Sequence, residues 1–290
     1  MALVPKASQA PVLDRATAAK LDELESNNAL VKLDTTGLLL KMKEVERITG
    51  AIDFDSKVRT ICLRGCGLGT PEAEQLAAVL QNASALKTLC VAENKIGPSG
   101  VVKLATSLTK DANLAELDLS YNRISLGGAQ KLARALEKNT KLKTLNVASC
   151  ELGSPGCARL AVALKKNKTL KALDVQGNRA GRFGAEIYAG LLQENSSLET
   201  LNMSDNGLGD YGAFKLSTAL AANKSLTDLS LMSNGIEFRG ARFLAEALES
   251  NVGLKYLNLY DNDLGTQGAK CFNQALDKNT TLLELTRMEV

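Results

Sequence analysis

A strict period constrains this chain more than any other feature. The segment "LDLSYNRISLGGAQKLARALEKNT", Leu117 to Thr140, reads as strand, turn and helix, and "LNVASCELGSPGCARLAVALKKNK" repeats it 28 residues later. Against the pattern L-x-x-L-x-L-x-x-N-x-[IL]-G, the first apolar residues are Val58, Leu86, Leu114, Leu142, Leu170, Leu198, Leu226, Leu254 and Leu282, each 28 apart without insertion or deletion. The ninth position reads Cys66, Asn94, Asn122, Cys150, Asn178, Asn206, Asn234 and Asn262. Units of this kind cannot bury their apolar faces alone and must stack in register on one another.

Each column of the repeat has a physical reading. In "LAELDLSYN" the side chains of Leu114, Leu117 and Leu119 point inward, while Glu116 and Asp118 face the other way, because strand side chains alternate. Asn122 turns inward, where its amide satisfies backbone groups exposed by the turn, and Cys is small enough to take its place. The fifteenth position is Gly in every full repeat after the first (Gly100, Gly128, Gly156, Gly184, Gly212, Gly240, Gly268), as expected where a helix start packs against its neighbour. Leu132, Ala133 and Leu136 then form an apolar helical stripe. Strands stack about 4.8 Å apart but packed helices need about 8–10 Å, so the array curves with its sheet inside. The expected fold is α/β: a right-handed leucine-rich-repeat solenoid, a curved arc with a parallel sheet on the concave face and helices on the convex face.

The 28-residue unit, with "NKIGPSG", "NRISLGG" or "NGLGDYG" after the strand and "LARALEKNT" or "LAEALESN" in the helix, resembles the ribonuclease-inhibitor subfamily of leucine-rich repeats from Val58 to about Leu285. That subfamily includes ribonuclease inhibitor, NLR sensor domains, tropomodulin, the Ran GTPase activator and a leucine-rich-repeat subunit of the dynein regulatory complex. The resemblance implies a shared scaffold and says little about function. Three regions follow: an N-terminal extension over 1–29, a tail with a short helix at "ATAAKLDELES"; a capping unit over 30–57; and eight full repeats plus a truncated one over 58–290. In the cap, Leu30, Leu33 and Thr35 fall in register with Val58, Ile61 and Leu63, and a helix is expected around Leu40 to Thr49.

Several classes of chemistry are poorly provided for. The chain has no histidine, the usual general base, triad member and zinc ligand. "GCGLG" at Gly65 to Gly69 mimics a phosphate loop, but no G-x-x-x-x-G-K-[ST] follows and Gly69 falls on the repeat's own Gly position. The expectation is a protein that is not an enzyme, with no cofactor, metal or small-molecule substrate. The net charge of +3 announces neither nucleic acid nor an anionic membrane. No apolar run is long enough to span a bilayer and the start lacks a secretory core, so a cytoplasmic location is expected, with the cytoskeleton or cilium as narrower settings.

The six cysteines read as free packing thiols, although Cys62 and Cys90 lie on neighbouring strands, close enough for a bridge. Six N-x-[ST] matches, such as Asn82-Ala-Ser84 and Asn279-Thr-Thr281, recur mostly because the repeat places Asn there.

Partner-binding surfaces are sought where columns depart from their usual residue types. The third, fifth, seventh and eighth positions face the concavity and carry Glu93, Glu116, Asp118, Asp174, Asp205, Asp228, Asp261 and Glu284 against Arg64 alone. The helices of repeats two to four are basic instead, with Lys103, Lys110, Lys131, Arg134, Lys138, Arg159, Lys165, Lys166 and Lys168 opposed mainly by Asp111 and Glu137. Either these are solvated helix faces or they await an acidic partner. Aromatic residues are only 4% of the chain, yet helix-start and outer helix positions of repeats five to seven hold Phe183, Ile187, Tyr211, Phe214, Phe238 and Phe243. Such a set forms an exposed docking strip or folds inward between helices. At the C-terminal concave corner Met232, Tyr256, Tyr260 and Met288 stand among Asp228 and Asp261, a mixture suited to a basic peptide or to covering the last strand's edge.

The functional expectation is a non-catalytic protein-protein interaction scaffold or adaptor, a subunit of a hetero-complex with one or more proteins. The alternative is a regulator of an enzyme: a Ran-type GTPase activator using Arg64, or an inhibitor that plugs an active site.

Overall fold

In the computed structural model, residues 15–26, 30–52, 56–109 and 113–287 are described, with side chains from residue 18 onward. Ten short strands alternate with ten helices among them. The strands are β1 (Lys32–Asp34), β2 (Thr60–Cys62), β3 (Thr88–Cys90), β4 (Glu116–Asp118), β5 (Thr144–Asn146), β6 (Ala172–Asp174), β7 (Thr200–Asn202), β8 (Asp228–Ser230), β9 (Tyr256–Asn258) and β10 (Glu284–Thr286). The helices are α1 (Arg15–Ser26), α2 (Met42–Gly50), α3 (Thr70–Val79), α4 (Pro98–Ser107), α5 (Ser125–Leu136), α6 (Gly153–Lys166), α7 (Gly181–Glu194), α8 (Gly209–Leu220), α9 (Phe238–Leu248) and α10 (Gly265–Leu276).

All strands are parallel in one sheet of order β1 to β10, and the register advances by one repeat at each step: Leu89 pairs with Leu117, Leu117 with Leu145, Leu145 with Leu173. This is the leucine-rich-repeat solenoid, its sheet on the concave face and its helices outside. Each unit pairs only three residues as strand, and in five of the repeats a fifth-position Asx side chain then closes a turn. The Oδ1 atoms of Asp118, Asn146, Asp174, Asn202 and Asn258 each accept the N–H two residues on, at 2.9–3.0 Å. The eighth position completes the turn in the left-handed region in every full repeat, at Gly65, Glu93, Tyr121, Ser149, Gly177, Asp205, Ser233 and Asp261.

Two asparagine ladders seal the ends of the core. At the ninth position Asn206 is 2% exposed and donates to the carbonyls of Val175, Met203 and Ser204, while its Oδ1 accepts the N–H groups of Asn178 and Ala180. Cys150 takes the same slot with one weaker donor, its Sγ lying 3.2 Å from the Leu119 carbonyl and 3.3 Å from that of Ala148. A second ladder runs through Asn139, Asn167, Asn195, Asn223, Asn251 and Asn279 after the helices. Each donates to a carbonyl in the last turn of the helix one repeat earlier or just beyond it, as Asn195 does to Leu164 of α6 at 2.7 Å, and accepts the N–H groups that lead into its own strand. The sequons at Asn167, Asn195, Asn223 and Asn279 therefore begin with buried, fully engaged amides.

The fifteenth-position glycines are required by close approach. A Cβ on Gly128 would lie 2.6 Å from Ile124 Cγ2, and one on Gly240 would lie 2.7 Å from Ile236 Cγ2 and 3.0 Å from the Ala213 Cβ. In the first repeat Glu72 fills that position and accepts the Gly69 N–H at 2.9 Å, capping α3 instead.

At the N-terminal end β1 pairs with β2 through Leu33 and Ile61, and Thr35 is fully buried. Helix α1 covers this end: Leu21 and Leu24 join the core, and Arg47 of α2 grips Asp22 at 2.7 Å and Glu25 at 2.7 and 2.8 Å. Residues 1–14 of the expected tail lie outside the described residues. Cys62 and Cys90 are register partners and both are free thiols.

Candidate interaction surfaces

The aromatic set of repeats five to seven lies on the outer side of α7, α8 and α9, and the structure divides it. Phe183 is 68% exposed, and Tyr211, Phe214 and Phe238 are also exposed. Ile187 and Phe243 are half-buried; Ile187 packs on the core and Phe243 tilts against Phe214, with ring centroids 4.9 Å apart. The spacing that places these residues on adjacent helices is the repeat itself, since Phe183 and Tyr211 are the same position 28 residues apart.

Polar groups hold the exposed rings in place. The Tyr211 hydroxyl donates to Glu186 at 3.2 Å, and Lys215 pairs with the same carboxylate at 3.0 Å. The Lys215 ammonium stands 5.3 Å from the Tyr211 ring and 6.0 Å from that of Phe214, and the Arg242 guanidinium 5.2 Å from the Phe243 ring. The paired ammonium and hydroxyl hold the Glu186 carboxyl below its ordinary range. Glu186, Lys215 and Arg242 were not legible as members of this surface, because their contacts cross between helices and depend on side-chain rotamers. Tyr188, by contrast, is fully buried where the other repeats mostly hold Leu, and its hydroxyl has no hydrogen-bond partner among the described residues. Burial pushes that phenol well above its ordinary value.

The concave corner is likewise split. A groove of about 300 Å³ opens over β7 to β10, lined by third- and fifth-position side chains including Asn202, Asp228, Ser230, Tyr256, Asn258 and Glu284. Asp228 and Tyr256 belong to it. Met232, Tyr260 and Asp261 do not line it: they sit in the turns beyond the strands, and Asp261 accepts the Ser233 hydroxyl at 2.6 Å. Met288 lies outside the described residues.

The concave carboxylates have mixed employment. Glu93 is neutralised by Arg64, 2.5 Å away, which holds its carboxyl below the ordinary range. Asp118 and Asp174 close the Asx turns, and desolvation pushes the Asp174 carboxyl up. Asp205 and Asp261 occupy the left-handed position, which Asp tolerates better than most residues. Asp228 and Glu284 lie in the groove with hydroxyl neighbours, Thr227 and Thr286, and pair with no cation among the described residues. On the convex side two of the basic residues are paired, Lys103 with Glu74 at 3.6 Å and Lys165 with Glu194 at 2.7 Å.

Among the described residues no group of three or more Cys, Asp or Glu is placed to hold a metal ion, and no helix is long and apolar enough to cross a membrane.

The family described as Leucine Rich repeat matches residues 84–105, 110–133, 138–161, 194–217, 222–245 and 250–272. No curated protein matches the chain by sequence. Among solved structures, internalin C2 from Listeria monocytogenes superposes over 93% of this chain and 92% of its own with a TM-score of 0.53 at 19% identity. The actin-binding site 2 of leiomodin-1 covers 53% of this chain and 90% of its own, with a TM-score of 0.44 at 20% identity. The tropomodulin C-terminal domain from Caenorhabditis elegans covers 52% and 92%, with a TM-score of 0.44 at 15% identity. The matched repeats, together with the uninterrupted 28-residue register of the sheet, make the chain a leucine-rich-repeat protein of the ribonuclease-inhibitor-like kind.

Proposed function

We propose that this protein is a non-catalytic interaction scaffold whose principal docking surface is the outer aromatic strip of α7 to α9. One observation carries the reading: Phe183, Tyr211, Phe214 and Phe238 are exposed on three consecutive helices of a chain otherwise poor in aromatic residues. Aromatic side chains on a rigid support give large contact area at small entropic cost, which is why they concentrate in protein interfaces. A lone exposed ring would need no explanation, but four on neighbouring helices form a patch of the kind that marks an interaction site. The partner is a protein, and the scaffold is one subunit of a hetero-complex.

The test is a double substitution, Phe183→Ser with Phe238→Ser, in native co-purification. Loss of partner with Tm nearly unchanged is expected, because neither ring belongs to the core. A retained partner, or a collapsed Tm, overturns the reading.

The narrower setting, a cytoskeletal or ciliary axonemal assembly, is supported only by the repeat's resemblance to its subfamily. Fluorescence localisation of tagged protein tests it. The regulator reading keeps Arg64 as its one candidate, although Arg64 is engaged by Glu93. GTPase turnover with the wild type and with Arg64→Ala separates the two: acceleration that the substitution removes would favour the regulator.

A further inference from the structure

A second surface stands on the flank where helices end and strands begin. The loops α5–β5 and α6–β6 read "EKNTKLK" and "KKNKTLK" and place Lys138, Lys141, Lys143, Lys166, Lys168 and Lys171 on two adjacent repeats. The first five are exposed and, among the described residues, none of these five has an acidic partner within ion-pair distance, whereas Lys171 is paired with Glu199 at 2.6 Å. The loops cannot swing apart to relieve the repulsion. The second asparagine ladder ties them together, Asn167 donating to the Asn139 carbonyl at 3.1 Å, and the Lys171 N–H bonds to the Lys143 carbonyl at 2.8 Å. Beyond the uncharged Ala115, Arg59 and Lys87 resume the row toward the N-terminal end, joined by the same backbone contact at 2.8 Å. Like charges stacked on neighbouring strands are destabilising. Here they are held by a rigid framework, on a molecule whose adjoining concave face is acidic.

We propose that this flank docks an acidic helix of a partner protein. A helix rises about 5.4 Å per turn, close to the roughly 4.8 Å between stacked strands, so a helix laid across the repeats meets about one lysine row per turn. Carboxylates spaced three and four residues apart would line one face of that helix. A helix is also narrow, about 10 Å across, and fits on the flank without overlying Glu116, Asp118 and Asp174 of the concave face. A nucleic-acid duplex or an anionic bilayer is broader and would bring negative charge against those carboxylates, and a single strand lacks the regular one-faced spacing of charge that the stacked rows present. The flank is distinct from the aromatic strip, so either proposal stands or falls without the other.

The experiment uses the full chain and a fluorescein-labelled helical peptide of about 20 residues with Glu on one face, long enough to hold helix in water. Its controls are a peptide of the same composition with Glu spread around the helix, single-stranded DNA, and vesicles containing phosphatidylserine. Fluorescence anisotropy should show salt-sensitive binding of the one-faced peptide. The triple variant Lys141→Glu, Lys143→Glu, Lys168→Glu should weaken it at least about tenfold with Tm unchanged, as expected for loss of steering charges. Phe183→Ser with Phe238→Ser should leave it intact. No binding by the wild type, equal binding of the scrambled peptide, an undiminished triple variant, or tighter binding of DNA or vesicles would each overturn the proposal.

Discussion

Replacing Asn206 by Ala probes the framework where it is most heavily cross-linked. The side chain makes five hydrogen bonds to backbone, but their loss is unequal. Each carbonyl keeps another donor: Val175 the Asn178 amide, Met203 the Asn234 amide and Ser204 the Gly177 N–H. The N–H groups of Asn178 and Ala180 have Asn206 Oδ1 as their acceptor and keep nothing. A buried donor left unsatisfied costs about 1–3 kcal/mol, so two predict a loss of about 2–6 kcal/mol. That is a large part of a typical domain's total stability. Because each repeat couples mainly to its neighbours, the damage should be local. Hydrogen exchange resolves it: the amides of residues 178 and 180 should lose protection while those of β2 and β3 keep theirs. Asn206→Cys, copying the natural Cys150, should cost less than Ala. A loss under about 1 kcal/mol, or unchanged exchange at residues 178 and 180, would refute the assignment of those two donors as the controlling groups.

Three further outcomes are expected. Gly128→Ala should destabilise by about 1–3 kcal/mol through its contact with Ile124, whereas Gly127→Ala, with open space around its Cβ, should be neutral or stabilise by up to about 1 kcal/mol in the same denaturation series. Tyr188→Phe removes a buried hydroxyl that has no partner and should raise stability by about 1–2 kcal/mol in urea titration. Iodoacetamide at pH 8 should leave Cys150 and Cys157 unmodified in the native protein, since both are buried and their thiols are pushed up to about 12, while denaturation exposes all six cysteines to labelling.

The fold was legible because a fixed period converts one unit into the whole. Once Leu117 was placed inward, Leu89, Leu145 and Leu173 had to follow, and the paired register obeys. Gly128 and Asn122 could be read for the same reason: their contacts repeat. The second ladder was visible only as a recurring Asn, since nothing in "EKNTKLK" says that Asn139 turns back to the Leu108 carbonyl. Acidity of the concave face overstated its availability, because composition does not distinguish Asp228, open to the groove, from Asp174, which closes a turn. The aromatic strip was legible as a set but not in its depth: whether Phe243 lies open or under Phe214 depends on a rotamer at one helix crossing. The lysine flank was not legible as a set, because Lys138, Lys166 and Lys168 read as helix charge while Lys141, Lys143 and Lys171 fall outside the helices, and only the register of neighbouring strands brings Lys143 beside Lys171.

Crosslinking mass spectrometry on the native complex tests the interaction role most directly. Linkages from the partner should fall on lysines of the outer helices, Lys215 and Lys270, while a carboxylate-reactive crosslinker should leave Asp228 and Glu284 of the concave strands unlinked. Partner linkages confined to the N-terminal repeats and absent from α7 to α9, or no partner linkage at all from a monodisperse protein at cellular concentration, would contradict the account.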